Sequence, residues 1–523
     1  MQMKSSSVVP HSGQQGVAAR NQGSTVAPKT STLPSGVKDH SKTENSTRHP
    51  QALASDKPSS RLNHQQNLLL AKRPSDDGGY NEREEFSYDI RNAILVSANI
   101  VEETDEKILP QYGLLGSFHS DDCPQLKDPG DDRIFVNTNI PFSAFICGVQ
   151  GSGKSHTTSC LLENCLIPSL MLGHLEKPLS ALVFHFSEFT SRTSYNPSEA
   201  SFLSMAHCDF PDHPTAFHTN VMVPPSNYYN LSQLYTQIPK VNVHPFKLKP
   251  HMLDVGTMLV LMAVDQSKDK SLYMAQVTKI LRDIATERNG DFDYLDFKRR
   301  LSNQKFDRKQ RDFLNQRLDL LESFLDLDSS STDLTFGAGE VTIIDMSCPF
   351  VDSNTACVLF KIAMRKYLES SVAGKMIVLD EAHKYMIDTP GATDLNEFLL
   401  TVIRQQRHFG ARVIVSTQEP TISTQLIDLC AITVIHRFTS PDWFRALKTH
   451  ISISSSSTED EKDEKYLFRK IVNLRTGEAL IYAPTAVLGK DLTGKPTKAT
   501  EELLKVSIRK RVTWDGGQSI VCV

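Results

Sequence analysis

The 523-residue chain contains no apolar run approaching 18 residues, which excludes a membrane-spanning helix, and no apolar signal-peptide core follows its first charges. Its nine cysteines form an odd set without a Cys-x-x-Cys pair, so neither a disulfide framework nor a zinc cluster is signalled. A reducing intracellular compartment, nucleus or cytoplasm, and no membrane association are expected. There is also no excess of basic charge. Lys and Arg number 57 against 61 Asp and Glu, a formal charge of −4, so any polyanion-binding surface must be local.

Aromatic residues are absent from positions 1 to 75, where Ser, Thr, Gln, Asn, Pro and Gly dominate. Such a composition buries too little apolar surface to offset ordering entropy. We read residues 1–80 as a disordered basic tail. The first 75 residues carry 10 Lys or Arg against 3 Asp or Glu, leaving 47 − 58 = −11 for residues 76–523. Lys72-Arg73-Pro74 could form part of a nuclear import signal, but a solvated linker is the preferred reading.

Beyond the tail the pattern is α/β. Residues 81–140 read as a small β-rich lead-in, with strands over 93–101 and 133–137. Short β-rich runs at 142–149, 179–186, 341–345, 375–380 and 412–417 alternate with helical patterns at 154–166 and 355–369. That alternation predicts a mostly parallel sheet covered by helices, over 141–190 and 336–490. Residues 191–335 interrupt it with a mainly helical insertion. There Val277, Ile280, Leu281 and Ile284 share one helix face, and Leu314, Leu318, Leu321 and Leu325 share another. Residues 491–523 form a C-terminal extension.

Gly148-Val-Gln-Gly-Ser-Gly-Lys-Ser155 fits G-x-x-x-x-G-K-[ST] between a predicted strand and a predicted helix, the context that the motif requires. Glycines let consecutive backbone N–H groups turn around a phosphate, and the helix N-terminus adds a favourable dipole. The expected nucleotide cradle is Gly148, Gly151, Ser152, Gly153, Lys154, Ser155, His156 and Thr157. Lys154 would reach the β- and γ-phosphates of ATP, and the Ser155 hydroxyl would ligate Mg²⁺. Met376 to Glu381 is an apolar run ending in two carboxylates. Asp380 would hold the Mg²⁺ shell and Glu381 would polarise the attacking water, while a helix N-cap is the plainer role for such a pair. Arg412 to Gln418 is a further apolar run with a polar tip, and Gln418 is suited to sense the γ-phosphate. It is expected between the phosphate-loop strand and the acidic strand. Arg404, Arg407 and Arg437 are candidates for an arginine finger; the catalytic assignments taken forward are Glu381, Gln418, Arg407 and Arg437.

The order of these motifs resembles the HerA/FtsK superfamily of ring-forming translocase ATPases, HerA more closely. Residues 148–157, 339–347, 378–383, 403–410, 416–420 and 474–481 carry the resemblance. Two positions depart from it: Phe184 to Phe189 keeps only Glu188 of the family's acidic residues, and Gln406-Arg407 stands where Gly-Arg is usual. The resemblance implies a RecA-like P-loop NTPase fold, a homo-oligomeric, hexameric ring, and duplex DNA as the translocated polymer. The residues alone imply Mg·ATP binding and hydrolysis. An ATP-dependent switch or scaffold that binds a protein through the helical insertion is the alternative. A phosphotransferase is disfavoured, since Asp380-Glu381 resembles a water-activating pair.

Overall fold

Strands Ser143–Cys147, Lys375–Leu379 and Ala411–Thr417 are buried at every position. A strand buried on both faces requires helices on both sides. The period of two divides each strand between them. Phe145, Cys147, Ile377 and Leu379 join one core with helices Ser353–Glu369 and Pro390–Arg404. Ala144, Ile146, Met376 and Val378 join the other with Leu161, Leu162 and Leu166 of helix Lys154–Leu166.

The computed structural model describes residues 82–118, 131–188, 196–262, 272–287, 292–327, 334–419, 422–451, 460–490, 496–500 and 503–516. The expected tail, residues 1–80, lies outside them. Eight consecutive strands run parallel. Their order is Ile432–Ile435, Ser143–Cys147, Ala411–Thr417, Lys375–Leu379, Ser180–His185, Glu340–Asp345, His218–Val223 and Val241–Pro245. The strand ending at Gln418 therefore separates the phosphate-loop strand from the acidic strand, as expected, with Val415 paired to both Phe145 and Leu379. The expected α/β architecture is present.

The same sheet continues past Ile432–Ile435 with mainly antiparallel strands. Glu478–Tyr482 is followed by Leu503–Ile508, Tyr112–Phe118, Arg133–Asn137 and Leu95–Ser97, and then by Val487–Lys490 and Pro496–Lys498. Segments from opposite ends of the sequence are thus hydrogen-bonded neighbours. At Gly116 a Cβ would stand 2.1 Å from the Ser507 carbonyl oxygen, so the close approach of these two strands requires glycine there.

Two local expectations are corrected. The strand expected over 93–101 spans only Leu95–Ser97, because Ala98–Glu103 turns helical at once, burying Ala98 and Ile100 and leaving Glu102 and Glu103 exposed. The stretch 191–335 also supplies strands His218–Val223 and Val241–Pro245, with helix Tyr228–Tyr235 between them, before its longer run of helices begins. Those helices are Val255–Met262, Leu272–Glu287, Tyr294–Ser302 and Arg308–Phe324. Both apolar faces foreseen there are buried, and a reciprocal capping box between Asp307 and Gln310 starts the last helix.

Candidate functional site at the carboxyl ends of the parallel strands

Gly148 has φ of 152°, and a Cβ on it would lie 2.7 Å from the Cβ of His436. Both constraints restrict the position to glycine. Gly153 closes the loop in the left-handed region, with φ of 114°, immediately before Lys154 begins the helix. The resulting turn places Lys154 under the loop with its side chain 3% exposed, and its amino group donates to the Val149 carbonyl at 3.2 Å. Burial pushes the Lys154 amine below its ordinary pKa, opposed by the charges of Glu381 and Asp380.

Glu381 stands two residues past the carboxyl end of the acidic strand Lys375–Leu379 in a left-handed conformation, φ 47° and ψ 46°. Lys240 is the other non-glycine residue with positive φ among the described residues. A strained backbone at this position marks a side chain whose direction matters. Glu381 Oε1 lies 3.9 Å from Lys154 Nζ, and Oε2 accepts a hydrogen bond from Gln418 Nε2 at 2.9 Å. The same Gln418 amide donates to Gln150 Oε1 of the phosphate loop at 2.8 Å. Three adjacent strands thus bring Lys154, Glu381 and Gln418 to one point. His383 Nδ1 accepts the Gln418 backbone N–H at 3.3 Å and lies 3.4 Å from Glu381 Oε2. Burial holds the imidazole below its ordinary pKa, which keeps it neutral and able to accept.

Ser155 and Asp380 line one small cavity with Thr158, Ser198 and Glu199. Asp380 is 7% exposed and has no Lys or Arg ion pair among the described residues; His185 Nδ1 lies 3.6 Å from its carboxylate. Burial opposes the charge on His185, but Asp345 and then Asp380 outweigh it and raise the imidazole above its ordinary pKa. A serine hydroxyl and a buried carboxylate around one cavity form the hard oxygen donor set that suits Mg²⁺.

The expected arginines divide. Arg437 follows the strand next to the phosphate-loop strand, and its carbonyl accepts the Val149 N–H at 3.0 Å. Arg404 and Arg407 are exposed and precede the amino end of strand Ala411–Thr417. The seven residues of that strand separate them from Gln418, roughly 20 Å at about 3.3 Å per residue. Within one chain, therefore, the Arg437 backbone lies beside the phosphate loop and Arg407 does not.

Two participants escaped the sequence reading. His436 is fully buried; its Nδ1 donates to the Glu478 carbonyl at 3.0 Å, leaving Nε2 to accept the Thr157 hydroxyl at 2.9 Å. Desolvation pushes its pKa down to about 4. The turn at Thr476-Gly477 covers the loop, with Gly477 N 3.4 Å from the Ser152 carbonyl oxygen. His156 faces away from the cradle centre, donating from Nε2 to the Arg509 carbonyl at 2.7 Å. The available signal for His436 was its place at the tip of a strand flanking the phosphate-loop strand.

No protein-family model and no curated protein matches the chain. Among solved structures, VirB4 of Thermoanaerobacter pseudethanolicus is similar at 11% identity, covering 71% of this chain and 89% of that one, with a TM-score of 0.39. The plasmid coupling protein TrwB, in complex with the GTP analogue GDPNP, is similar at 11% identity over 71% of this chain and 86% of that one, TM-score 0.40. The genome packaging NTPase B204 of Sulfolobus turreted icosahedral virus 2, in complex with AMPPCP, is similar at 12% identity over 66% and 92%, TM-score 0.26.

Proposed function

We propose that the chain is a Mg-dependent ATPase motor of HerA/FtsK type that works as a homo-oligomeric ring on duplex DNA. The observation that carries the ATPase reading is the convergence of Lys154, Glu381 and Gln418 from three neighbouring strands. The ring and the DNA rest on the order of motifs in the sequence.

Backbone N–H groups of Gly151 to Ser155 cradle the phosphates, and Lys154 neutralises their charge at the end of the phosphate chain. Ser155 and Asp380 would hold Mg²⁺, which would supply neutralisation of the phosphate charge. Glu381 accepts a proton from the attacking water, and its tie to Gln418 keeps the carboxylate aimed from its strained backbone. Gln418 orients that water and, through Gln150, senses the loop. Arg437, or Arg407 from a neighbouring subunit, stabilises the charge of the transition state.

The test is ATP turnover with and without duplex DNA, together with the mass of the active species in solution. A ring whose turnover rises with DNA supports the motor. A chain that binds ATP and turns over slowly, indifferent to DNA, supports instead the protein-binding switch or scaffold.

A further inference from the structure

Glu163 lies on the last turn of the phosphate-loop helix with none of its surface exposed. A buried carboxylate must find donors. Arg509 Nη1 supplies one to Oε2 at 2.7 Å. Val512 N, Thr513 N and the Thr513 hydroxyl supply three to Oε1, at 3.1, 2.9 and 2.5 Å. All four come from the stretch 509–513, which follows strand Leu503–Ile508 and lies along the helix. The Arg509 guanidinium also donates to Asn164 Oδ1 at 2.9 Å and to the Cys160 carbonyl at 3.1 Å.

The other end of the helix is tied to the same strap. His156, next to Ser155, donates from Nε2 to the Arg509 carbonyl at 2.7 Å. Arg511, with a side chain 1% exposed, reaches Glu199 Oε2 at 3.2 Å, and Glu199 lines the cavity shared by Ser155 and Asp380. The strap therefore holds the first turn, the last turn and one wall beside the cradle. If it moved away, Glu163 would lose all four of these donors at once, which ties the position of the helix to that of the strap.

We propose that Glu163 and Arg509 are positioning residues for the nucleotide, and that seating of the 509–513 strap and phosphate binding at Lys154 are thermodynamically coupled. The proposal rests on the nucleotide-binding reading of the cradle. Coupling is reciprocal: the factor by which a seated strap tightens nucleotide binding equals the factor by which nucleotide stabilises the seated strap.

The full-length protein is examined by amide hydrogen exchange with and without saturating Mg·ATPγS. The Val512 and Thr513 amides report directly, since Glu163 accepts from both. Their exchange is expected to slow about tenfold, within the roughly 5- to 150-fold range of typical couplings. ATPγS affinity is then titrated in Glu163→Gln, Arg509→Met and Arg509→Lys. The first two are expected to lose affinity by the factor seen in exchange, and the lysine variant to recover part of it. Exchange indifferent to ATPγS in the wild-type chain, or a folded Glu163→Gln with wild-type affinity, overturns the proposal. Should that variant fail to fold, the wild-type amides still decide. A wild-type chain that binds no ATPγS overturns the nucleotide reading itself.

Discussion

Lys154 and Glu381 lie 3.9 Å apart yet should fail differently when replaced, since one contacts ground-state phosphates and the other acts on the water that attacks them. Lys154→Ala is expected to weaken ATP binding by about 10- to 100-fold, the scale of a lost charge-assisted hydrogen bond. Glu381→Gln should retain ATP and lose about 10²- to 10⁴-fold in kcat, as for a removed general base. Equal loss of affinity in both variants, measured by nucleotide titration, would take Glu381 out of the catalytic role. These two residues were legible because fixed motifs carry them. His436 was not, because its role arises from a carbonyl and a hydroxyl that only the fold brings to its ring. Its pKa of about 4 lies below the unfolded value of 6.5, so the folded state binds fewer protons in that interval. The contribution to stability is therefore present above pH 6.5 and is lost as pH falls toward 4, by at most about 1.4 kcal/mol per pH unit. His156, also depressed by burial, adds in the same direction, and the raised His185 opposes them. Thermal midpoints of His436→Gln between pH 4 and 7 should fall less steeply than those of the wild type. Parallel slopes would exclude His436 as a titrating group.

Elements decide which arginine can act where. Alternating β-rich and helical runs made the parallel half readable in advance, including the placement of strand Ala411–Thr417 between the two strands whose tips it must join. Short strands of mixed polarity, such as His218–Val223, were hidden in loops because only alternate positions are buried. The antiparallel half was hidden for another reason: Leu503–Ile508 pairs with Tyr112–Phe118 across nearly 400 residues, and no local pattern encodes that. With strand polarity known, Arg437 stands beside the loop, whereas Arg404 and Arg407 stand at the amino end of the neighbouring strand. If a ring forms, either end can meet a neighbour's cradle, and the finger acts across the boundary. Mixing Lys154→Ala subunits with subunits lacking the correct arginine should then restore part of the ATPase rate at interfaces where an intact cradle meets an intact finger. Inactive mixtures for all three arginines, or a monomer with full activity, would remove the trans finger.

At the scale of the whole molecule the deciding quantity is charge. Residues 76–523 sum to −11 and the first 75 to +7, so the folded part repels a polyanion in general and must attract it, if at all, through a focused set of Lys and Arg. Contacts to a phosphate backbone release counterions, and affinity then falls with salt along a log–log slope of roughly −0.9 per phosphate contacted. Duplex DNA is accordingly expected to stimulate hydrolysis at low salt, and the stimulation should weaken steeply as salt rises. Two contributions can be separated by removing residues 1–75. The tail adds positive charge without belonging to the catalytic elements, so its loss should lower DNA affinity and make the salt slope shallower while the stimulated rate at saturating DNA persists. If stimulation vanishes with the tail, the tail itself is the DNA-responsive element and no focused set on the folded part is needed. If neither duplex nor single-stranded DNA changes the rate of a species confirmed as a ring, the acidic folded part is acting on a different partner, and the protein-binding switch replaces the motor.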